Sequence, residues 1–135
     1  MRRPRGDQGN AMLEFVTIAV VLMIPLVYVL LTVFQLQRAA FAASAAAREA
    51  GRAYVTAPTA DTALDRAQTA ADLALADQLP GDPHATLDVT DTFSPGASVR
   101  VTVTYRVKLP LAGSLATIPV TATHVATVDR YRTAR

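Results

Sequence analysis

The chain has 135 residues, enough for one small domain with an anchor but not for two hydrophobic cores. Thirteen basic residues exceed eleven acidic ones, but Arg2, Arg3 and Arg5 against Asp7 account for the whole excess. From Asn10 onward the charges balance, so no basic footprint for nucleic acid exists. With no cysteine in the sequence, disulfides and thiolate metal sites are excluded.

Residues 1–9 form a short polar, basic leader. Phe15 to Phe34 is then a run of twenty residues without a charge, which as a helix reaches about 30 Å, the thickness of a bilayer core. Arginines placed before such a run predict a single-pass protein of the cytoplasmic membrane. Its N-terminus is then cytoplasmic and its C-terminal part extracytoplasmic. A long helix is expected over 10–54, apolar to Leu36 and amphipathic beyond it. Ala39, Ala43 and Ala47 fall four apart on one face of its second half. That stripe is either a packing surface for another backbone or the effect of alanine's helix propensity alone. Gly51 fits a helix end or a weak point.

Val55 to Pro58 breaks the helix, and residues 55–135 read as a small extracytoplasmic α+β domain. A second, amphipathic helix is expected from Thr59 to Leu79. Leu64, Ala67, Ala71, Leu75 and Leu79 make its apolar face, Thr59 or Asp61 its cap, and Pro80-Gly81-Asp82-Pro83 its stop. About three antiparallel strands follow: Ala85 to Thr92, Val99 to Lys108 and Ile118 to Val128. In the middle strand Val99, Val101, Val103, Tyr105 and Val107 alternate with polar residues, the pattern of a strand with one wet face. The segment LPLAGSL, Leu109 to Leu115, is apolar for a connection. It either folds onto the first helix or forms a membrane- or partner-facing patch.

Few residues suggest chemistry. His84 and His124 are the only histidines, and without HExxH-type spacing no metal site is expected. Asp82 beside His84 reads first as a turn aspartate. No glycine-rich phosphate loop or Gly-x-Ser-x-Gly elbow occurs, and Ser94, Ser98 and Ser114 have no evident base. The sequence therefore predicts neither an enzyme nor a cofactor. A secretory signal cut after Ala42 or Ala45 is an alternative, but the apolar run exceeds the 7–15 residues typical of such signals.

The informative segment is Gly9-Asn10-Ala11-Met12-Leu13-Glu14-Phe15. A carboxylate deep in hydrocarbon costs about 2.5–3.5 kcal/mol, so Glu14 is either tolerated at the headgroup level or has a task. The segment resembles the cleavage site of prepilins of the type IV filament superfamily: glycine at −1, glutamate at +5, then an apolar run. The Glu14-Phe15 pair with Pro25 ten residues on is similar to the TadE-like family of tight-adherence (Flp) pilus assembly pseudopilins. The alanine-rich stretch Ala45 to Arg52 and the C-terminal strand pair agree at the level of pattern. Asn10 departs from the Phe or Met usual at +1 in major pilins; pseudopilins vary more there.

The resemblance implies a minor pseudopilin cut by a prepilin peptidase between Gly9 and Asn10. Its other implied partners are further pilins or pseudopilins, the pilus assembly machinery and the lipid bilayer. It implies that Glu14 pairs with a neighbouring subunit's N-terminal amine and sets axial register. Pro25, which deprives the helix of a backbone hydrogen bond, is read as a kink. An unprocessed single-pass protein whose outer domain binds a partner is the alternative.

Overall fold

A computed structural model describes residues 7–90, 93–109 and 116–131. Residues 1–6 of the leader, the expected strand end at Asp91-Thr92 and residues 110–115 of the apolar connection lie outside the described residues. The elements are helix α1 (Asp7–Val55), helix α2 (Ala60–Ala76) and strands β1 (Thr86–Thr90), β2 (Ser98–Lys108) and β3 (Thr117–Thr127). The fold is α+β. The chain forms two compact units, Met1–Phe34 and Gln35–Arg135.

The division therefore falls inside α1, between Phe34 and Gln35, and not at the helix break near Tyr54 where the sequence suggests a boundary. The reason is packing. From Ala39 to Tyr54, α1 belongs to the core of the second unit: Ala39, Ala42, Ala43, Ala46, Ala47 and Ala50 are at most 1% exposed. The alanine stripe is a packing face, wider than the three positions its spacing picks out. Ala42, Ala46, Ala47 and Ala50 share one cluster with Ala63, Ala67, Ala71 and Leu75 of α2 and with Val99, Val101 and Val103 of β2. Two helices thus cover one face of the sheet.

Gly51 sits within α1, not at its end. A methyl group there would lie 2.9 Å from Cδ2 of His124 and 3.6 Å from the Ala126 side chain, both on β3. The helix comes close to the sheet at this glycine, and its lack of a side chain is a steric need. A few residues further on, Tyr54 meets Phe93 edge to face at 5.6 Å between ring centres, which closes the core at this end.

The start of α2 is Thr59, in extended conformation, with its hydroxyl 3.0 Å from that of Thr62 and no side-chain bond to a backbone amide. The buried face of α2 is Ala63, Ala67, Ala71 and Leu75, so Ala63 takes the place expected of Leu64, which is 51% exposed. Small residues win because α1 is close. Past Ala76 the chain tightens, with the Leu79 amide donating to the Leu75 carbonyl at 2.8 Å. Gly81 then turns it at φ +90°.

The sheet is antiparallel in the order β1-β2-β3. On β2 the expected alternation is present: Val99, Val101, Val103 and Val107 are buried, while Arg100, Arg106 and Lys108 are exposed. Register places Thr86, Thr104 and Thr121 in one row of the outer face, and Asp88, Thr102 and Thr123 in the next. The hydroxyls of Thr102 and Thr123 lie 3.3 Å apart, and those of Thr104 and Thr121 3.2 Å apart. Pro119 is on β3, an edge strand, where a missing amide donor is tolerated.

The Gly51 contact gives a test. Gly51→Val is expected to lower stability by about 1–3 kcal/mol through overpacking, read by thermal unfolding of the detergent-solubilised chain. Adding His124→Ala should restore part of that loss, because it removes the ring that the new side chain strikes.

Candidate functional site

Every residue the sequence singles out for processing or assembly lies on α1. Gly9 and Asn10 fall in its first turn, because the helix begins at Asp7, three residues before the expected start. Glu14 and Phe15 follow one turn on, both exposed, and the helix continues through Pro25. Gly9, Asn10 and Glu14 are thus placed in sequence along one helix end, and no other element joins them among the described residues.

What surrounds this end is its own apolar surface. Met12 and Phe15 are each 73% exposed and Phe34 is 63% exposed, and no residue of the most apolar eighteen-residue window is buried. The core helix of a water-soluble protein would be covered. This is one helix long and apolar enough to cross a membrane, and its apolar face is left for lipid or another protein. The polar side chains inside the run are adapted to such surroundings. Thr17 donates its hydroxyl to the Leu13 carbonyl at 2.7 Å, and Thr32 donates to that of Tyr28 at 2.8 Å. Each thus satisfies its hydroxyl within the helix.

A second constellation lies in the other unit, and the sequence shows only part of it. His84 stands between two aspartates: its Nδ1 is 3.3 Å from Asp72 and its Nε2 is 3.2 Å from Asp82. Asp82 is the turn neighbour visible in the sequence; Asp72 comes from α2 and is not. Asp72 also accepts the Ala85 amide at 3.0 Å and the Gln68 side chain at 3.2 Å, and Gln68 donates in turn to the Ala85 carbonyl at 3.0 Å. These bonds fasten the middle of α2 to the residue before β1. The i, i+4 spacing of Gln68 and Asp72 was the available signal.

Burial works against the Asp72 charge, yet the bonds from Ala85, Gln68 and His84 outweigh it and hold the carboxyl below its ordinary value. The hydrogen bond to Asp72, helped by the nearby Asp82 charge, raises His84 above the ordinary histidine value. The geometry is that of a structural clamp. Among the described residues no three metal-binding side chains converge, and no polar or charged side chain is buried. His124, on β3, instead packs against Gly51. Ala42, where a secretory signal might be cut, is fully buried in the core, so cutting after it would strip the domain of Ala39 and Ala42.

No family model, curated protein or solved structure matches this chain.

The clamp predicts a pH dependence. A histidine raised by folding adds stability that is full below its unfolded pKa and is lost as pH rises through the higher folded value. Asp72, lowered by folding, adds stability that is lost only as pH falls through its folded value. The melting temperature should therefore fall as pH rises past the ordinary histidine value, where a raised histidine discharges. His84→Gln should flatten that slope while leaving the low-pH loss due to Asp72. A slope unchanged in the variant would exclude the clamp as its source.

Proposed function

We propose that this chain is a TadE-like minor pseudopilin of a tight-adherence pilus or a related secretion system. It is cut by a prepilin peptidase after Gly9 and held in the cytoplasmic membrane by α1, with its N-terminus inside and the α+β domain outside. The observation that carries this reading is Gly9 and Glu14, five residues apart, at the head of a charge-free helix that the rest of the chain leaves uncovered.

Several physical features support it. Gly9 lies in the first turn of α1, where backbone amides have no intrahelical partner, so opening the chain for a protease costs few hydrogen bonds. Cutting there leaves Asn10 as the first residue, and asparagine is among the strongest helix N-caps. It also places a new ammonium at the positive end of the helix dipole, an unfavourable pairing. A carboxylate from a neighbouring subunit's Glu14 offsets both charges where the surroundings are apolar, and the pairing fixes the axial step between subunits. Pro25 lacks the amide that would bond the Val21 carbonyl, which gives the span a point of easy bending as it passes from lipid into a protein bundle.

Co-expression with a prepilin peptidase and intact-mass measurement should show a chain beginning at Asn10. An N-terminus still at Met1 would instead favour the unprocessed, partner-binding alternative. Glu14→Ala should leave membrane insertion unchanged and reduce co-purification with other pilus subunits at least tenfold, on the scale of a lost apolar charge pair. Unchanged co-purification would exclude the pairing role.

A further inference from the structure

Two contacts fix how β2 runs beside α1 within the second unit. Val101 pairs with His124, whose ring meets Gly51 of α1. Further along the strand, Tyr105 and Val107 line a pocket with Gln35, Arg38 and Ala39. Gly51 back to Ala39 is about 18 Å of helix, and Val101 to Val107 is about 20 Å of strand, so the two lengths agree. β2 therefore runs back along α1 in the reverse direction, and Leu109 arrives at the level of Gln35. Gln35 directly follows Phe34, the last residue of the charge-free run. The end of the sheet where β2 passes to β3 is thus the end that the chain holds next to its apolar run.

The described residues at this end combine apolar and cationic side chains. Leu109 donates its amide to the Ala116 carbonyl at 3.2 Å, which closes the strand pair, and Leu109, Ala116 and Ile118 are half-buried. Arg106 and Lys108 are exposed on the face away from the helices, opposite Pro119 and Thr117. Among the described residues neither cation has a carboxylate within ion-pair distance. Asp88, the acid described on that face, pairs with Thr102, about 13 Å from Arg106 along the strand. Asp82, in the turn after α2, is engaged by His84 at 3.2 Å, and Arg38 on the helix side donates to the Gln78 carbonyl. In the sequence no Asp, Glu, Lys or Arg follows Lys108 until Asp129.

Either a leaflet or another protein could cover this end, and chain connectivity favours the leaflet. The polar layer of a bilayer is about 5–7 Å deep on each side of its hydrocarbon core. Two strand residues span about that depth, so a strand end level with Gln35 lies within it whenever α1 is in a membrane. Apolar side chains with lysine or arginine beside them are the composition of segments that lie in that layer. Long cationic side chains rest their stems on apolar surface and hold their charges among the headgroup phosphates. An anionic leaflet therefore matches the uncompensated charge that the strand end carries.

We propose that the β2–β3 end of the sheet seats on an anionic leaflet, with Leu109 and Ile118 as its apolar contacts and Arg106 and Lys108 on lipid phosphates. The inference rests on the membrane-anchored reading of α1 and not on processing at Gly9 or pairing at Glu14. Helix and sheet end then hold the folded unit to the membrane at two places instead of one.

The chain has no cysteine, so a fluorophore can be attached at a single introduced site. Thr117→Cys marks the proposed contact, and Thr127→Cys, at the other end of the same exposed face, is the control. The full chain is reconstituted in vesicles of phosphatidylglycerol or phosphatidylcholine, each with a phospholipid carrying a nitroxide near the top of its acyl chain. Insertion is checked by resistance to carbonate extraction. In phosphatidylglycerol the label replacing Thr117 should be quenched several-fold more strongly than the one replacing Thr127, and phosphatidylcholine should reduce that contrast. Arg106→Gln with Lys108→Gln should weaken the contact by roughly thirtyfold, the scale for two basic groups at an anionic surface, without changing the melting temperature. Equal quenching at the two sites, or a contrast that is the same in both lipids or survives the double variant, overturns the proposal. A label at Thr117→Cys that is shielded from aqueous iodide but untouched by the nitroxide lipid would assign this end to a second copy or another protein, and also overturns it. A chain that inserts but shows no contrast refutes this inference alone, whereas one that carbonate extracts refutes the anchor itself.

Discussion

The second unit depends on how closely a helix backbone can approach a sheet and another helix. Alanines from Ala39 to Ala50 and the bare Gly51 turn that side of α1 into a nearly smooth surface, and α2 meets it with alanines of its own. The largest fully buried side chains are correspondingly few and modest: Leu75, Val99, Val101, Val103 and Val128. Such a core gains less from each residue's transfer out of water than one of leucine and phenylalanine would. Dispersion between surfaces in close contact makes up part of the difference, and it falls off steeply when one side is pushed away. An added methyl is therefore more damaging here than a lost one. The Arg38–Gln78 bond, which joins α1 to the turn after α2, depends on the same spacing.

The same helix carries a surface of the opposite kind before Phe34. There the side chains are large, apolar and uncovered, and their cover must come from outside the chain. Lipid tails and a protein bundle offer nearly equal apolar surroundings, so moving the helix from one to the other changes its hydrophobic free energy little. The choice then falls to packing and to the few polar groups present. Thr17 and Thr32 are already satisfied within the helix and favour neither. On the proposed reading, Glu14 is the group whose energy changes most on transfer, so a single carboxylate can direct an otherwise indifferent helix.

The elements were legible in the sequence because each carried a periodic signal: twenty residues without charge, apolar positions along α2, and strict alternation on β2. Distances across the fold were less so. Ala63 displaced Leu64 from the α2 face because the approach of α1 selects size over hydropathy, which a pattern along one helix does not record. Gly51 looked like a helix end for a similar reason, since its partner His124 lies more than seventy residues away. Asp72 joins His84 only through tertiary structure. Gly9, Glu14 and Pro25, on which the proposed reading rests, lie on one local segment, and the fold adds only their helical setting and the exposure of Glu14.

Pro119 has a consequence for the company this protein keeps. β3 is eleven residues long and lies at an open edge of the sheet, the kind of template on which stray strands add and chains aggregate. A proline removes one donor from that edge, and the strand paired with β3 keeps three cations on the solvent face, Arg100, Arg106 and Lys108. Molecules concentrated in the plane of a membrane meet one another often. On the membrane-anchored reading, a blunted edge would let such domains collide without fusing their sheets.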